Sequence, residues 1–426
     1  MEVSFSKARN FMNARAYAFA LLKEICIDEG YSNLLLRNKL QSVDPKDKAL
    51  VTQIVYGTLQ NYRLVRYQWQ SYVKKEPCKE VALLLDMSVY QLLYMDKMPA
   101  YAVIDEAVRI TKKNIHPRFS ALVNAVLRQV ERNGKRELEG NAIEQLALET
   151  SHPTWLVAMW KAQYGWQECE KICHSDLEIR KQCVRVNTMK ASVEELLASG
   201  EFAKGSLAED ALYYLGNDII HSNYYKQGLI SIQDEVSQLV AQYVDPQPQE
   251  RILDVCSAPG TKACHIAERM GDKGSIVCGD IHAHRVELIK NGARRLQLQS
   301  IQAQVMDATS LKEIEGEMFD RVLCDVPCSG YGVLARKSDI KYHAKSTDMD
   351  TLIPLQQQIL QSASKHVVKD GILVYSTCTL NKKENEKQVA AFLAQHEEFE
   401  CLQQQTIFPY THHSDGFYIA KLKRVR

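Results

Sequence analysis

RILDVCSAPGTK, Arg251 to Lys262, is the stretch on which the fold turns. A short apolar run ends in an acid. A loop of small residues with Pro259 and Gly260 follows, and a helical pattern begins at about Lys262. That is the order of a buried strand, a tight turn and a helix. The order repeats downstream. SIVCGD ends at Asp280 and leads to HRVELIKNGARRL, QAQVMD ends at Asp307, and DRVLCD ends at Asp325. The helical MDTLIPLQQQILQSASKHVV then leads to GILVYST, KKENEKQVAAFLAQ reads as a helix, and DGFYIAKLKR closes the chain. Repeated β–α units predict an α/β domain over residues 241–426, a mainly parallel sheet covered on both faces. Ligands of such sheets sit at the C-terminal ends of the strands.

Upstream the texture differs. Residues 1–145 read as helices: AYAFALLKEI, KALVTQIVYGTLQNYRLVRYQWQSYV, EVALLLDMSVYQLLYM, AYAVIDEAVRITKK and FSALVNAVLRQVER space their apolar residues by three and four. Asn133-Gly134 stops the last of them. No strand alternation and no catalytic constellation is visible there, so this domain is expected to bind rather than react. Residues 146–240 predict a small α+β module: SHPTWLVAMWKAQYG as a short helix, CVRVNTMK (Cys183 to Lys190) as a strand and ASVEELLASG as a helix. Asp245-Pro-Gln-Pro-Gln is expected to link module and sheet.

The chain has 426 residues, 46% hydrophobic and 25% charged, enough for several cores. No long uncharged apolar run is present, which excludes a membrane-spanning segment of that kind. MEVSFSKARN lacks the apolar centre of a signal peptide, so the cytosol is the expected location. Net charge is +1, but residues 1–150 carry 22 Lys and Arg against 17 Asp and Glu, and the remainder 31 against 35. A mildly basic front is compatible with RNA and equally with an ordinary solvated helical surface. The twelve cysteines are scattered without zinc spacing, which reads as thiols in a reducing compartment. His282 and His284 have no apparent third ligand, and no metal is expected.

Asp254, Asp280, Asp307 and Asp325 each stand at or near a predicted strand end. One such acid is commonly a turn former or helix cap. Four on one rim suit an adenosine-bearing ligand: a carboxylate after the second strand fits a ribose diol, and another can accept from an adenine amine. The bend at Ala258-Pro259-Gly260 lets backbone approach that ligand. A G-x-G-x-x-G fingerprint and a GKS/GKT phosphate loop are both missing, so NAD and ATP recede and S-adenosylmethionine comes forward.

Cys328, in Leu-Cys-Asp-Val-Pro-Cys-Ser-Gly, and Cys378, in Tyr-Ser-Thr-Cys-Thr, both follow buried-looking strands and point at the same rim. Cys378 is expected just before a helix, whose N-terminus would favour thiolate. Taken from spacing alone, two small core residues remain an equal alternative. Two thiols beside an acid suit methylation of an unactivated pyrimidine carbon. A thiolate adding at C6 makes C5 nucleophilic, an acid at N3 stabilises the adduct, and a second group helps expel the first sulfur.

DVCSAPGTK, DVPCSG and YSTCTLNKKENE resemble the motifs of the Sun/Nop2 group of RNA cytosine-C5 methyltransferases, and GLISIQDEVSQLV and DGFYIAKL extend the match. GYSN, VYGTLQNY, VYQLLYM and ALVNAVLR are similar to the NusB-like helical domain of its bacterial small-subunit rRNA members. The resemblance implies a Rossmann-like methyltransferase domain behind the α+β module and the NusB-like domain, the latter two engaging small-subunit rRNA, free or partly assembled. It implies Cys378 as nucleophile, Cys328 as the residue assisting product release, and Asp325 touching the base near the donor. It places S-adenosylmethionine against Cys256, Ser257, Ala258, Pro259, Gly260, Thr261 and Lys262, with Asp280, Asp307 and Asp325. Thr261 stands where the family has a second glycine, Ser257 where it has alanine, and Ala263 where it has Thr or Ser. A β-branched residue disfavours positive φ, so a differently bent loop is expected.

Other residues have two readings. Lys262 touches substrate or donor, or is a surface residue of a first helical turn. Arg336 to Lys341 is expected to hold RNA phosphates; the alternative is a solvated loop. Arg185 and Asn187 are expected as RNA contacts, and Gln356 to Gln358 as one exposed helix face. Two further activities compete with the main one: the same chemistry on tRNA or large-subunit rRNA, and a non-catalytic RNA-binding assembly factor. No obligate protein partner is evident.

Overall fold

A computed structural model describes residues 13–28, 39–40, 43–96, 98–216 and 218–426. The MEVSFSKARN and GYSN readings lie outside these residues. Among the described residues no helix is long and apolar enough to cross a membrane. The chain divides into two compact units. One holds the residues up to Ala162 together with Leu334–Ala344; the other holds Gln163–Val333 and Lys345–Arg426.

The first unit is helical, with helices Ala14–Cys26, Lys48–Gln60, Tyr62–Gln70, Lys79–Tyr94, Ala100–Ile110, Ser120–Asn133 and Ala142–Glu149. Leu22, Ile54, Leu84, Ile104 and Leu127 are completely buried in one core. The single helix expected from Lys48 onward is two. Asn61 leaves helical geometry at φ −113°, ψ 18°, and its side-chain amide donates to the Gly57 carbonyl at 2.9 Å, a local bond that competes with the helical ladder. Gly134, at φ 68°, ends Ser120–Asn133 with its N–H on the Val130 carbonyl, as the Asn-Gly pair predicts.

Leu334–Ala344 is built into this unit. Lys341 is 1% exposed, and its ammonium donates to the carbonyls of Gln60 (3.3 Å) and Thr150 (3.2 Å). The Tyr62 hydroxyl donates to the Lys341 carbonyl at 2.9 Å, and the Tyr62 and Tyr342 rings lie 4.8 Å apart. The reading of this segment as a phosphate-holding loop therefore fails at Lys341, whose charge is spent on helix-end carbonyls.

The second unit carries two sheets. The smaller is antiparallel in the order β2-β3-β1-β4, from β1 (Cys183–Val186), β2 (Phe202–Lys204), β3 (Ala211–Tyr214) and β4 (Ile230–Ile232). The larger comprises β5 (Arg251–Asp254), β6 (Ser275–Asp280), β7 (Ile301–Val305), β8 (Phe319–Asp325), β9 (Val367–Thr377), β10 (Phe399–Ile407) and β11 (Phe417–Arg424). Its order is β10-β11-β9-β8-β5-β6-β7; β9, β8, β5, β6 and β7 run parallel, β11 pairs antiparallel with β9, and β10 pairs antiparallel with β11. Apolar residues from its two faces form separate cores, one with Ile252, Ile276 and Val374, the other with Leu253, Val322 and Leu373. That alternation is what a sheet covered on both sides requires. From β5 the chain builds outward to β7, then returns to β8 on the other side of β5, so the topological switch point lies between β5 and β8.

Candidate active site

The predicted acids do gather on one rim. Asp254, Asp280 and Asp325 are the last residues of β5, β6 and β8, and Asp307 lies two residues beyond β7. Strand order sets them side by side: Asp325, Asp254, Asp280, Asp307. Cys378 follows the end of β9, next to β8, so it joins the row beside Asp325.

The loop Cys256–Gly260 crosses the switch point. The Ser257 amide donates to the Gly279 carbonyl at 2.8 Å and the Gly260 amide to the Ser257 carbonyl at 2.7 Å. Gly260 takes the left-handed position, φ 94°, and a Cβ there would stand 3.0 Å from Ile289 Cα. Thr261 is the first residue of helix Thr261–Arg269 and is not among the residues at positive φ. The expected conflict between Thr261 and the bend does not arise, because Gly260 alone carries it.

Asp254 is 1% exposed and completes no hydrogen bond among the described residues. Burial, with the Asp325 charge added, pushes its carboxyl up to about 7, and the Lys262 charge draws it only partly back. Asp280 accepts from the His282 amide at 2.9 Å, and Arg285 lies 3.7 Å away. Asp307 accepts from the Thr309 amide (2.9 Å) and hydroxyl (2.7 Å).

Lys262 is no surface residue of a first helical turn, since its side chain is only 14% exposed. Its ammonium is 2.7 Å from Asp325 Oδ2, and the Ser376 hydroxyl donates to Asp325 Oδ1 at 2.8 Å. Burial disfavours the ammonium, but Asp325 outweighs it and holds Lys262 above its ordinary value; Cys378 acts in the same direction.

The two predicted cysteines meet. Cys328 Sγ and Cys378 Sγ are 3.4 Å apart, and both residues are part-exposed. The hydrogen bond to Cys378 raises the Cys328 thiol well above its usual range, and burial and the charges of Cys378 and Glu384 add to it. The helix-terminus argument for Cys378 does not hold, because the next helix begins only at Glu386. The nearby cation is Lys262, and a cation favours thiolate as a helix end does.

Three expectations are corrected by burial. Arg185 is completely buried and forks onto Glu268 with two 2.9 Å bonds. It also donates to Gln233 and, at 2.9 Å, to the Thr261 carbonyl. Asn187, 1% exposed, donates to the Gly228 carbonyl. Both are held inside the protein rather than offered to RNA. Gln356 is also completely buried, donating to the Pro327 carbonyl and to Glu384, each at 2.9 Å. Glu384 itself was not singled out from sequence. Its one signal is an acid flanked by Asn381 and Asn385 just after a strand, which does not reveal that it is buried.

Family models match three parts of the chain: the 16S rRNA methyltransferase RsmB/F model over residues 241–423, the NusB family over 12–132, and the RsmF/B-like ferredoxin-like domain over 152–203. A Bacillus subtilis protein named probable ribosomal RNA small subunit methyltransferase B is 41% identical over 97% of this chain and 99% of its own. The chain belongs to the ribosomal RNA small subunit methyltransferase B family. A family member from Serratia proteamaculans is 32% identical over 97% of this chain and 99% of its own. The crystal structure of PH0851 superposes with a TM-score of 0.84 at 25% identity, covering 96% of this chain and 99% of that one. A methyltransferase homologue from Pyrococcus horikoshii shares the fold at a TM-score of 0.60 and 24% identity, over 67% of this chain. The family architecture is thus a NusB domain, a ferredoxin-like domain and a Rossmann-like methyltransferase domain in that order.

Proposed function

We propose that the chain, a ribosomal RNA methyltransferase by family, transfers a methyl group from S-adenosylmethionine to C5 of a cytidine in small-subunit rRNA through a covalent bond between Cys378 and C6. The observation that carries the reading is the 3.4 Å approach of two sulfurs beside Asp325 on one sheet rim. An exocyclic-amine methyltransferase has no use for such a pair.

The donor fits the residues present. Asp254 is a buried carboxylate with no completed bond, facing the bend at the switch point, and it suits an ammonium such as the donor's amino group. Cys256 to Lys262 would hold the donor, with Asp280 and Asp307 for its ribose and adenine and Asp325 nearby. When bound, the donor supplies an electrophilic sulfonium methyl group. Asp325 and Lys262 set an acceptor and a donor side by side, which matches the amino group and ring N3 of a cytosine edge. The Cys378 thiol loses its proton to solvent, and its sulfur bonds C6 while the C5–C6 electron pair moves into the ring. That pair takes up the methyl group at C5. The C5 proton then leaves to water, the C5–C6 double bond re-forms and the S–C6 bond breaks, returning its electrons to Cys378. Cys328 holds its proton tightly and donates a hydrogen bond to the departing sulfur.

The cytidine must be unpaired or flipped out, since sulfur has to reach the ring. The helical unit and the small module are proposed to engage the rRNA around it. The test is a denaturing gel of RNA–protein adducts with undermodified small-subunit rRNA. Cys378→Ala is expected to form no adduct and no 5-methylcytosine, and Cys328→Ala to accumulate adduct. Adduct with Cys378→Ala and none with Cys328→Ala would reverse the assignment. Transfer to tRNA or large-subunit rRNA alone would move the substrate.

A further inference from the structure

Glu384 is completely buried and accepts four hydrogen bonds. Oε1 takes the Ser329 hydroxyl (2.6 Å) and the Asn381 amide (3.0 Å); Oε2 takes the Ser329 main-chain N–H and Gln356 Nε2, each at 2.9 Å. No Lys or Arg pairs with it among the described contacts, so neutral donors alone offset its burial. Ser329 directly follows Cys328, and Thr379 directly follows Cys378. The Ser329 and Thr379 hydroxyls are themselves 2.7 Å apart. Gln356, which bonds Glu384, also bonds the Pro327 carbonyl on the other side of Cys328. Asn385 donates to the Thr379 carbonyl at 2.9 Å, and the Tyr375 hydroxyl donates to the Glu384 carbonyl at 2.7 Å. Ser329 beside Cys328 thus bonds the carboxylate directly, and Thr379 beside Cys378 joins it through the Ser329 hydroxyl.

From this geometry we propose that Glu384 is a positioning residue for the two-thiol chemistry: through Ser329 it fastens the Cys328 loop to the Cys378 loop and so holds the two sulfurs facing each other. This role rests on the covalent reading above. A buried negative charge disfavours a second one nearby, and Glu384 acts on the Cys328 thiol in that direction. Glu384→Gln keeps the shape, removes the charge and turns one acceptor into a donor, which faces the donors already there. Ser329→Ala keeps the charge and cuts the hydroxyl link between the loops.

Two measurements separate this role from general support of the fold. The first needs no RNA: iodoacetamide alkylation of Cys328 and Cys378, followed by mass spectrometry across pH. In Glu384→Gln the onset of Cys328 alkylation is expected at lower pH, because one of the charges that disfavour its thiolate is gone. In Ser329→Ala the onset is expected to stay and the rate of diamide-driven disulfide formation between Cys328 and Cys378 to fall, because the sulfurs no longer face each other as steadily. The second is adduct lifetime on rRNA, expected to lengthen in both variants, because Cys328 no longer faces the departing sulfur as steadily. Wild-type alkylation profiles and disulfide rates in both variants would overturn the role of Glu384. Failure of the wild-type protein to form any RNA adduct would instead sink the covalent reading, and the alkylation results would identify which of the two had failed.

Discussion

Lys262 and Asp325 form a 2.7 Å ion pair that joins the first turn of helix Thr261–Arg269 to the end of β8, across the switch point of the sheet. Side-chain exposures of 14% and 24% leave it only partly screened by water. Lys262→Met is expected to cost about 1.5–3 kcal/mol, the range for hydrogen bonds to charged groups. It should lower methyl transfer by about 100-fold or more, because the cation that favours the Cys378 thiolate is lost with the pair. Urea unfolding and single-turnover methylation measure the two effects separately.

Asp254 predicts a pH effect. Its carboxyl is raised from an ordinary 3.8 to about 7, so the folded protein binds this proton more tightly than the unfolded chain. The associated stability is fully present below about pH 4 and is lost as pH rises through about 7. The difference amounts to about 4 kcal/mol at most. Subtracting Asp254→Asn from wild type isolates it: relative to the variant, wild type should lose stability between pH 4 and 7. A flat difference in Tm across that window contradicts the assignment.

Arg185 gives a prediction that opposes its RNA reading. Its guanidinium and Glu268 are 0% and 1% exposed. Arg185→Met leaves Glu268 buried without its cation, at a cost of about 3–5 kcal/mol. A residue that only touched RNA would change affinity and leave the urea midpoint in place.

Gly260→Ala places a Cβ at φ 94° and 3.0 Å from Ile289 Cα. About 1–3 kcal/mol of strain is expected, and relief of that strain requires the bend to move. Calorimetric titration with S-adenosylmethionine should show weaker binding, with a smaller loss in Tm than Arg185→Met produces.

The rim was legible in sequence because strands of this sheet end abruptly: an apolar run closes on Asp254, Asp280 or Asp325. Cys328 and Cys378 could be placed on that rim for the same reason. Polar burial was not legible. Arg185, Gln356, Lys341 and Glu384 look solvated one at a time, and each is buried only because distant partners satisfy it. Strand β10, FECLQQQTI, was missed because it is an edge strand with Glu400, Leu402, Gln403 and Gln404 exposed, so its pattern is not that of a buried strand. Asn61 broke an expected helix through a side-chain bond that periodicity does not encode.

The route of the backbone through Leu334–Ala344 bears on how this protein can be dissected. The polypeptide passes between the two units at three points, after Ala162, after Val333 and after Ala344. A truncation that begins near Gln163 would strand eleven residues whose lysine and tyrosine were shaped for helices no longer encoded. Such fragments should be stickier and less soluble than the intact polypeptide, and a soluble fragment would need that excursion replaced by a short polar bridge.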